Sequence, residues 1–210
     1  MKGKVVIIDY NVGNTNSVYN AVKKLGYNVV ISNQRNEIEG SDALIMPGVG
    51  AFAEAINNIN KLNLKPILND QVLNKKKPVL GICIGMQLMA DFSEENGHYE
   101  GLGWIQGIVK KITPQKGLLV PHVGWNEITP VFNKEILFSN AAFENPSFYW
   151  DHSYHFDCKV DYQAATVEYG NTLSAIIARE NIFGVQFHPE KSQTNGLRLF
   201  RSFFNYFNIV

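Results

Sequence analysis

The sequence predicts an α/β fold: a mostly parallel sheet flanked by helices, with additional antiparallel strands in the C-terminal half. Two observations carry this expectation. Over roughly the first hundred residues, short and continuously apolar runs alternate with stretches of helical periodicity, the order that builds a parallel sheet. After Gly101 the apolar runs remain short, but few helical stretches separate them. That pattern suits a second β-rich layer or antiparallel strands extending the sheet. The 210 residues suffice for one domain with a full core, and residues 1–210 are read as that domain.

Residues 4–9 form an apolar run of the kind covered on both faces, hence a strand. Asn14 and Thr15 can cap a helix that runs to about Leu25, with Gly26 as its stop. Val18, Ala21, Val22 and Leu25 lie on one face of it. Strands follow at 27–31 and 43–46, a break at Pro47-Gly48-Val49-Gly50, and helical stretches at 52–59 and 66–74. Residues 78–82 are a strand that runs directly into a helix ending near Phe92. Short strands are expected at 107–112, 125–128, 148–156, 164–168, 175–178 and 182–187. A last helix from about Asn195 carries Leu197, Leu199, Phe200, Phe203, Phe204 and Phe207 as a core stripe.

Composition narrows the function classes. Hydrophobic residues make up 45% and charged residues 18%, as in an ordinary globule. Nineteen basic residues balance nineteen acidic ones, so nothing favours nucleic acid or an anionic membrane. Two cysteines, Cys83 and Cys158, are too few for a disulfide framework, and no Cys-x-x-Cys pair suggests zinc. The first apolar run is too short for a signal peptide and no run spans a bilayer. A cytoplasmic, reducing setting is expected, with no metal and no cofactor.

The strand at 78–82 ends in Gly81-Ile82-Cys83-Ile84-Gly85, which has the glycine-x-nucleophile-x-glycine spacing of a nucleophile elbow. A sharp strand-to-helix turn strains the backbone, and glycines on both sides let chain pass close to chain. The start of the following helix favours negative charge at Cys83, and the Ile84 N–H has no helical partner, so it can face an oxyanion. Taken alone, Cys83 also fits a small buried core residue.

A sulfur nucleophile needs a base and a group that orients the base. His188 follows a strand in Phe183-Gly184-Val185-Gln186-Phe187-His188-Pro189-Glu190. Pro189 biases His188 toward an extended backbone, and residues two apart on an extended chain share a side. Glu190 can therefore fix the His188 tautomer. Pro47-Gly48-Val49-Gly50 also follows a strand, and its glycines free N–H groups for a second oxyanion donor, although a plain turn would look the same.

Together these pieces resemble the class I, triad-type glutamine amidotransferases. The three landmarks are Pro47-Gly48-Val49-Gly50, Gly81-Ile82-Cys83-Ile84-Gly85-Met86-Gln87 and Gly184-Val185-Gln186-Phe187-His188-Pro189-Glu190, in the family's order. A narrower likeness points to the branch of glutaminase subunits that serve imidazole glycerol phosphate synthases. It rests on Asp9-Tyr10-Asn11-Val12-Gly13-Asn14, Pro121-His122-Val123-Gly124-Trp125-Asn126, His152-Ser153-Tyr154 and the run from His188 to Ser192. Asn11, where that branch usually has a small residue, and the pair Trp150-Asp151, where it is more apolar, depart from the pattern.

The resemblance implies an open, mostly parallel, flavodoxin-like sheet and hydrolysis of glutamine to glutamate and ammonia. It implies Cys83 as nucleophile, His188 as proton carrier and Glu190 as its orienting group. Gln87, His152, Ser153 and Tyr154 match positions that hold glutamine, and Gly48, Val49, Gly50 and Ile84 match the oxyanion region. It further implies a heterodimer with a separate (β/α)8-barrel cyclase subunit that accepts the ammonia. Asn14, Pro121, Trp125, Asn126 and Lys191 match the shared face. Glutaminase turnover is then expected to be weak until the loaded partner binds, because a glycine-bearing oxyanion loop is free to be misaligned. An alternative keeps the chemistry and changes the acceptor: a paralogous glutaminase feeding a sugar-nucleotide amidation synthase in surface-polysaccharide synthesis.

Overall fold

A computed structural model describes residues 2–113, 117–131 and 146–209. Its frame is a nine-stranded sheet in the order β2-β1-β3-β4-β13-β12-β11-β8-β9. The parallel half comprises β1 (Lys4–Ile8), β2 (Asn28–Ser32), β3 (Ala43–Met46), β4 (Val79–Ile82) and β13 (Ile182–Val185). Residues of β3, β4 and β13 are buried throughout, which is why these strands read as unbroken apolar runs rather than alternating ones. The antiparallel half comprises β8 (His122–Pro130), β9 (Ser147–His152), β11 (Gln163–Tyr169) and β12 (Asn171–Arg179).

A smaller sheet, ordered β10-β7-β5-β6, is built from β5 (Phe92–Ser93), β6 (Tyr99–Glu100), β7 (Gly107–Lys111) and β10 (Tyr154–Cys158). Both sequence options for the C-terminal half are therefore realised: the antiparallel strands extend the main sheet and also form a second layer. The stretch expected as one strand over 148–156 is two. It leaves the main sheet after His152 and joins the small sheet at Tyr154, with Ser153 at the crossing.

Helices cover both faces. On one, α1 (Thr15–Lys24) and α6 (Gln193–Tyr206) pack Val18, Val22, Leu199, Phe200, Phe203 and Phe204 against the sheet. Each buried phenylalanine there contributes about 1.5–3 kcal/mol of transfer free energy. On the other face, α3 (Phe52–Lys61) and α4 (Lys65–Asn69) bury Phe52, Ile56, Ile59 and Leu68 with Trp104 and Phe156. A π-type turn, Asp70–Asn74, completes the stretch read as one helix over 66–74. One short helix, α2 (Arg35–Glu39), was not evident from periodicity, since only Ile38 of its five residues is buried.

The helix after β4 also departs from expectation. It is a single turn, α5 (Ile84–Gln87), and does not reach Phe92. The reason is competition for its carbonyls: Leu88, Met89 and Ala90 accept hydrogen bonds from the N–H groups of Leu102, Trp104, Ile105 and Gly103. The crossing segment takes the acceptors that a second helical turn would need.

Candidate active site

Two neighbouring parallel strands set the geometry. β4 and β13 pair in register, Val185 opposite Ile82, and the Cys83 N–H continues the ladder by donating to the Val185 carbonyl at 2.8 Å. Both chains then leave the sheet at its carboxyl edge, where open α/β sheets hold their sites. Cys83 turns sharply, at φ 52° and ψ −106°, a conformation costly for a residue with a Cβ. The flanking glycines are required by close approach. A Cβ on Gly85 would lie 1.7 Å from the Met46 carbonyl oxygen, and one on Gly81 would lie 2.5 Å from that of Gly85.

His188 and Glu190 follow β13 and are buried, each side chain 1% exposed. The His188 Nδ1 bonds Glu190 Oε1 at 2.9 Å, and the Cys83 side chain acts electrostatically on the same ring. Burial opposes charge on this imidazole, but the Cys83 and Glu190 partners outweigh it and raise its pKa to about 10. A charged imidazole beside a sulfur nucleophile can give its proton to a departing nitrogen after attack on an acyl carbon.

Cys83 opens onto a cavity of about 280 Å³ lined by Val49, Gly50, Ile84, Gln87 and the His152-Ser153-Tyr154 crossing. Gly48 lies one step back. A Cβ there would lie 2.9 Å from that of Ile84 and 3.0 Å from the Tyr10 hydroxyl oxygen, so the Pro47–Gly50 loop rests directly on Ile84, the residue after Cys83. The Tyr10 hydroxyl donates to the Pro47 carbonyl and holds the loop. Burial, and then the Cys83 charge, push the Tyr10 pKa upward, so it stays a neutral donor.

Of the residues assigned to a partner face, Trp125, Pro121 and Lys191 are exposed and Asn14 and Asn126 half-buried. The Lys191 ammonium lies 5.4 Å from the Tyr149 ring centre, and Trp125 meets the same ring edge-on. Pro121 also lines the cavity. The two departures have physical accounts. Asn11 stands at φ 59°, where glycine is the unstrained choice and asparagine the common substitute, and its N–H is held by Asp9 Oδ1. Asp151 is exposed and contributes to the cavity wall.

Four groups were missed by sequence reasoning. Gln186 Nε2 lies 3.7 Å from the Cys83 sulfur, and the i, i+2 rule that paired His188 with Glu190 would have found it. Glu95 lines the cavity while accepting the Phe52 N–H at the start of α3, a contact no local pattern announces. Tyr10 and His122 act through neighbours distant in sequence.

The sequence pattern of the family described as "Glutamine amidotransferase class-I" matches residues 6–206. The chain belongs to that family. Among its relatives is the Vibrio vulnificus (strain YJ016) protein named imidazole glycerol phosphate synthase subunit HisH 2, 44% identical over 98% of this chain and 96% of that one. The Campylobacter jejuni (strain RM1221) protein named imidazole glycerol phosphate synthase subunit HisH 1 is 40% identical over 95% of this chain and 98% of that one. The solved structure of PurLQS from Thermotoga maritima shares the fold, with a TM-score of 0.71 at 19% identity over 98% of this chain and 99% of that one. The fold thus holds where little of the sequence is shared, and Cys83, His188 and Glu190 sit on its parallel half.

Proposed function

We propose that this class I amidotransferase is the glutaminase subunit of an imidazole glycerol phosphate synthase. It hydrolyses glutamine to glutamate and ammonia, and the ammonia passes to a (β/α)8-barrel cyclase subunit in histidine biosynthesis. The observation that carries the reading is Cys83 on the wall of the cavity, with the buried His188–Glu190 pair beside it at the adjoining ends of β4 and β13. The near full-length likeness to subunits named HisH supports the choice of acceptor.

The Cys83 sulfur attacks the side-chain amide carbon of glutamine, and the carbonyl oxygen becomes an oxyanion. N–H groups of Ile84 and of the Val49–Gly50 segment stabilise it. The His188 imidazolium gives its proton to the departing nitrogen, ammonia leaves, and a thioester remains on Cys83. Neutral His188 then takes a proton from water, whose oxygen attacks the thioester. Glutamate departs and the sulfur returns to its starting state, so each turnover consumes one water. Glu190 keeps Nδ1 occupied, so the ring acts through Nε2.

Ammonia released into neutral water is protonated and no longer a nucleophile, so a closed path to a partner is needed. The exposed apolar side chains Val49, Val123 and Trp125, with Pro121 at the cavity mouth, suit a docking face there. Cys83 is a free thiol, in keeping with a reducing cytoplasm. Mixing the chain with the barrel subunit tests the reading. Glutamate release should rise on complex formation and match imidazole glycerol phosphate formed; equal release with and without the barrel subunit would contradict it.

A second reading changes only the acceptor, to a sugar nucleotide. Failure to bind the histidine-pathway barrel, with retained glutaminase chemistry, would select it.

A further inference from the structure

Behind the cavity a hydrogen-bond chain runs from the surface to the nucleophile, and its direction is fixed at each step. The Tyr154 carbonyl can only accept, and His152 Nδ1 lies 2.8 Å from it, so Nδ1 carries the His152 proton. His152 Nε2 is then an acceptor, and His122 Nδ1, at 3.0 Å, must donate to it. That leaves His122 Nε2 as an acceptor, met by the Asn126 amide nitrogen at 3.3 Å. Asn126 cannot flip without loss, because its Oδ1 accepts the Glu127 N–H and its Nδ2 also donates to the Glu168 carbonyl.

At the far end, the Tyr154 carbonyl also accepts from Gln87 Nε2 at 3.0 Å. The same nitrogen donates to Gln186 Oε1, which turns Gln186 Nε2 toward the Cys83 sulfur. Gln87 Oε1 is buried with no partner among the described residues. It is the one atom of this hydrogen-bond chain left to accept an N–H from a molecule in the cavity. Both imidazoles are neutral, as the chain requires: burial lowers His152 to about 3, and lowers His122 to about 4. His122 is further clamped between the Trp150 and Tyr169 rings, at 5.1 and 3.9 Å between centres.

We propose that His122, held by Asn126, is a positioning residue for glutamine. It fixes the His152 tautomer, and through the Tyr154 carbonyl it sets the Gln87 amide with Oε1 available to a substrate N–H. The inference rests on the glutaminase reading and deepens it. Register explains how the residues meet, since β8 and β9 place His122 directly opposite His152 in a cross-strand pair. Without the His122 donor, His152 Nε2 is buried and unpaired, and the other tautomer releases the Tyr154 carbonyl.

The test compares His122→Phe with His122→Asn in the complex with excess barrel subunit. Phenylalanine keeps a ring in the stack but has no N–H; asparagine places an N–H near the Nδ1 position. His122→Phe should raise KM for glutamine by about tenfold, the cost of one buried unpaired group, and change kcat less than about threefold. His122→Asn should recover most of the loss. Alkylation of Cys83 by iodoacetamide, which needs no glutamine contact, should proceed at the parental rate in both. An unchanged KM in His122→Phe would overturn the proposal. So would equal loss in both variants with alkylation slowed in step, the mark of a general folding defect. A parental complex that releases no glutamate would overturn the glutaminase reading itself, and is a distinct result.

Discussion

The parallel and antiparallel halves of the main sheet position their functional groups by different means. In the parallel half, Cys83 and His188 are placed by backbone: adjoining strand ends, a strained turn and glycines whose hydrogens touch other chain. In the antiparallel half, His122 and His152 are placed by a cross-strand side-chain pair and by hydrogen bonds that pass from one group to the next. Backbone placement tolerates almost no added atoms. Side-chain placement yields by degrees, because a lost hydrogen bond costs about 1–3 kcal/mol without moving a strand. The nucleophile should therefore fail abruptly on substitution and the pocket wall gradually.

The largest contrast is between two glycines. Gly85→Ala puts a methyl group 1.7 Å from the Met46 carbonyl oxygen, and no flexible side chain can yield there. Unfolding midpoints should report a loss of at least about 3 kcal/mol or a chain that does not fold. Gly124→Ala, in β8, meets nothing within 4 Å and bears only its φ of +129°. Its cost should be about 1 kcal/mol, from backbone preference alone. Comparable losses would erase the distinction.

Glu190→Gln keeps the shape of the triad but removes the charge that helps raise the His188 pKa. Glutamine-dependent kcat should fall by about 10²–10⁴, with KM little changed. A change confined to KM would place Glu190 in substrate binding instead.

The two halves also differ in pH response. His122 and His152 titrate at about 4 and about 3 in the fold, below the ordinary 6.5. The unfolded chain binds more protons below pH 6.5, so acid lowers stability, by up to about 1.4 kcal/mol per pH unit for each ring. His188 has the opposite sign. Its raised pKa gives stability that is present in full below 6.5 and is lost as pH rises through about 10. Thermal midpoints between pH 6.5 and 4.5 should fall less steeply in His122→Phe than in the parent, while the alkaline limb stays the same. Parallel acid limbs would argue against a buried neutral His122.

The smallest effect lies at the surface. Trp125 is 51% exposed and stands against Tyr149 at the edge of the antiparallel half. Trp125→Ala should weaken binding of the barrel subunit by roughly tenfold, as interface tryptophans do, with KM for glutamine at saturating partner unchanged.

The same division explains what the sequence discloses. The parallel half was readable because its strands are uniformly apolar and its turns carry glycine, both local features. Even so, the reason for Gly85 is a carbonyl on β3, thirty-nine positions upstream at Met46. The one-turn α5 was overestimated because residues 102–105, which claim its next carbonyls, carry no sign of that role. In the antiparallel half, register and the sheet change at Ser153 decide which side chains meet, and neither is written in a single strand. Trp125 looks like a core residue by type and is half exposed, whereas Trp104 and Trp150 are fully buried.

The central claim is that Cys83 performs the glutamine step and nothing else in the assembled enzyme. Cys83→Ala in complex with the barrel subunit tests it, with product measured once from glutamine and once from added ammonia. Product from glutamine should vanish while product from ammonia persists at the parental rate. Persistence of both would remove Cys83 from the chemistry and contradict the account.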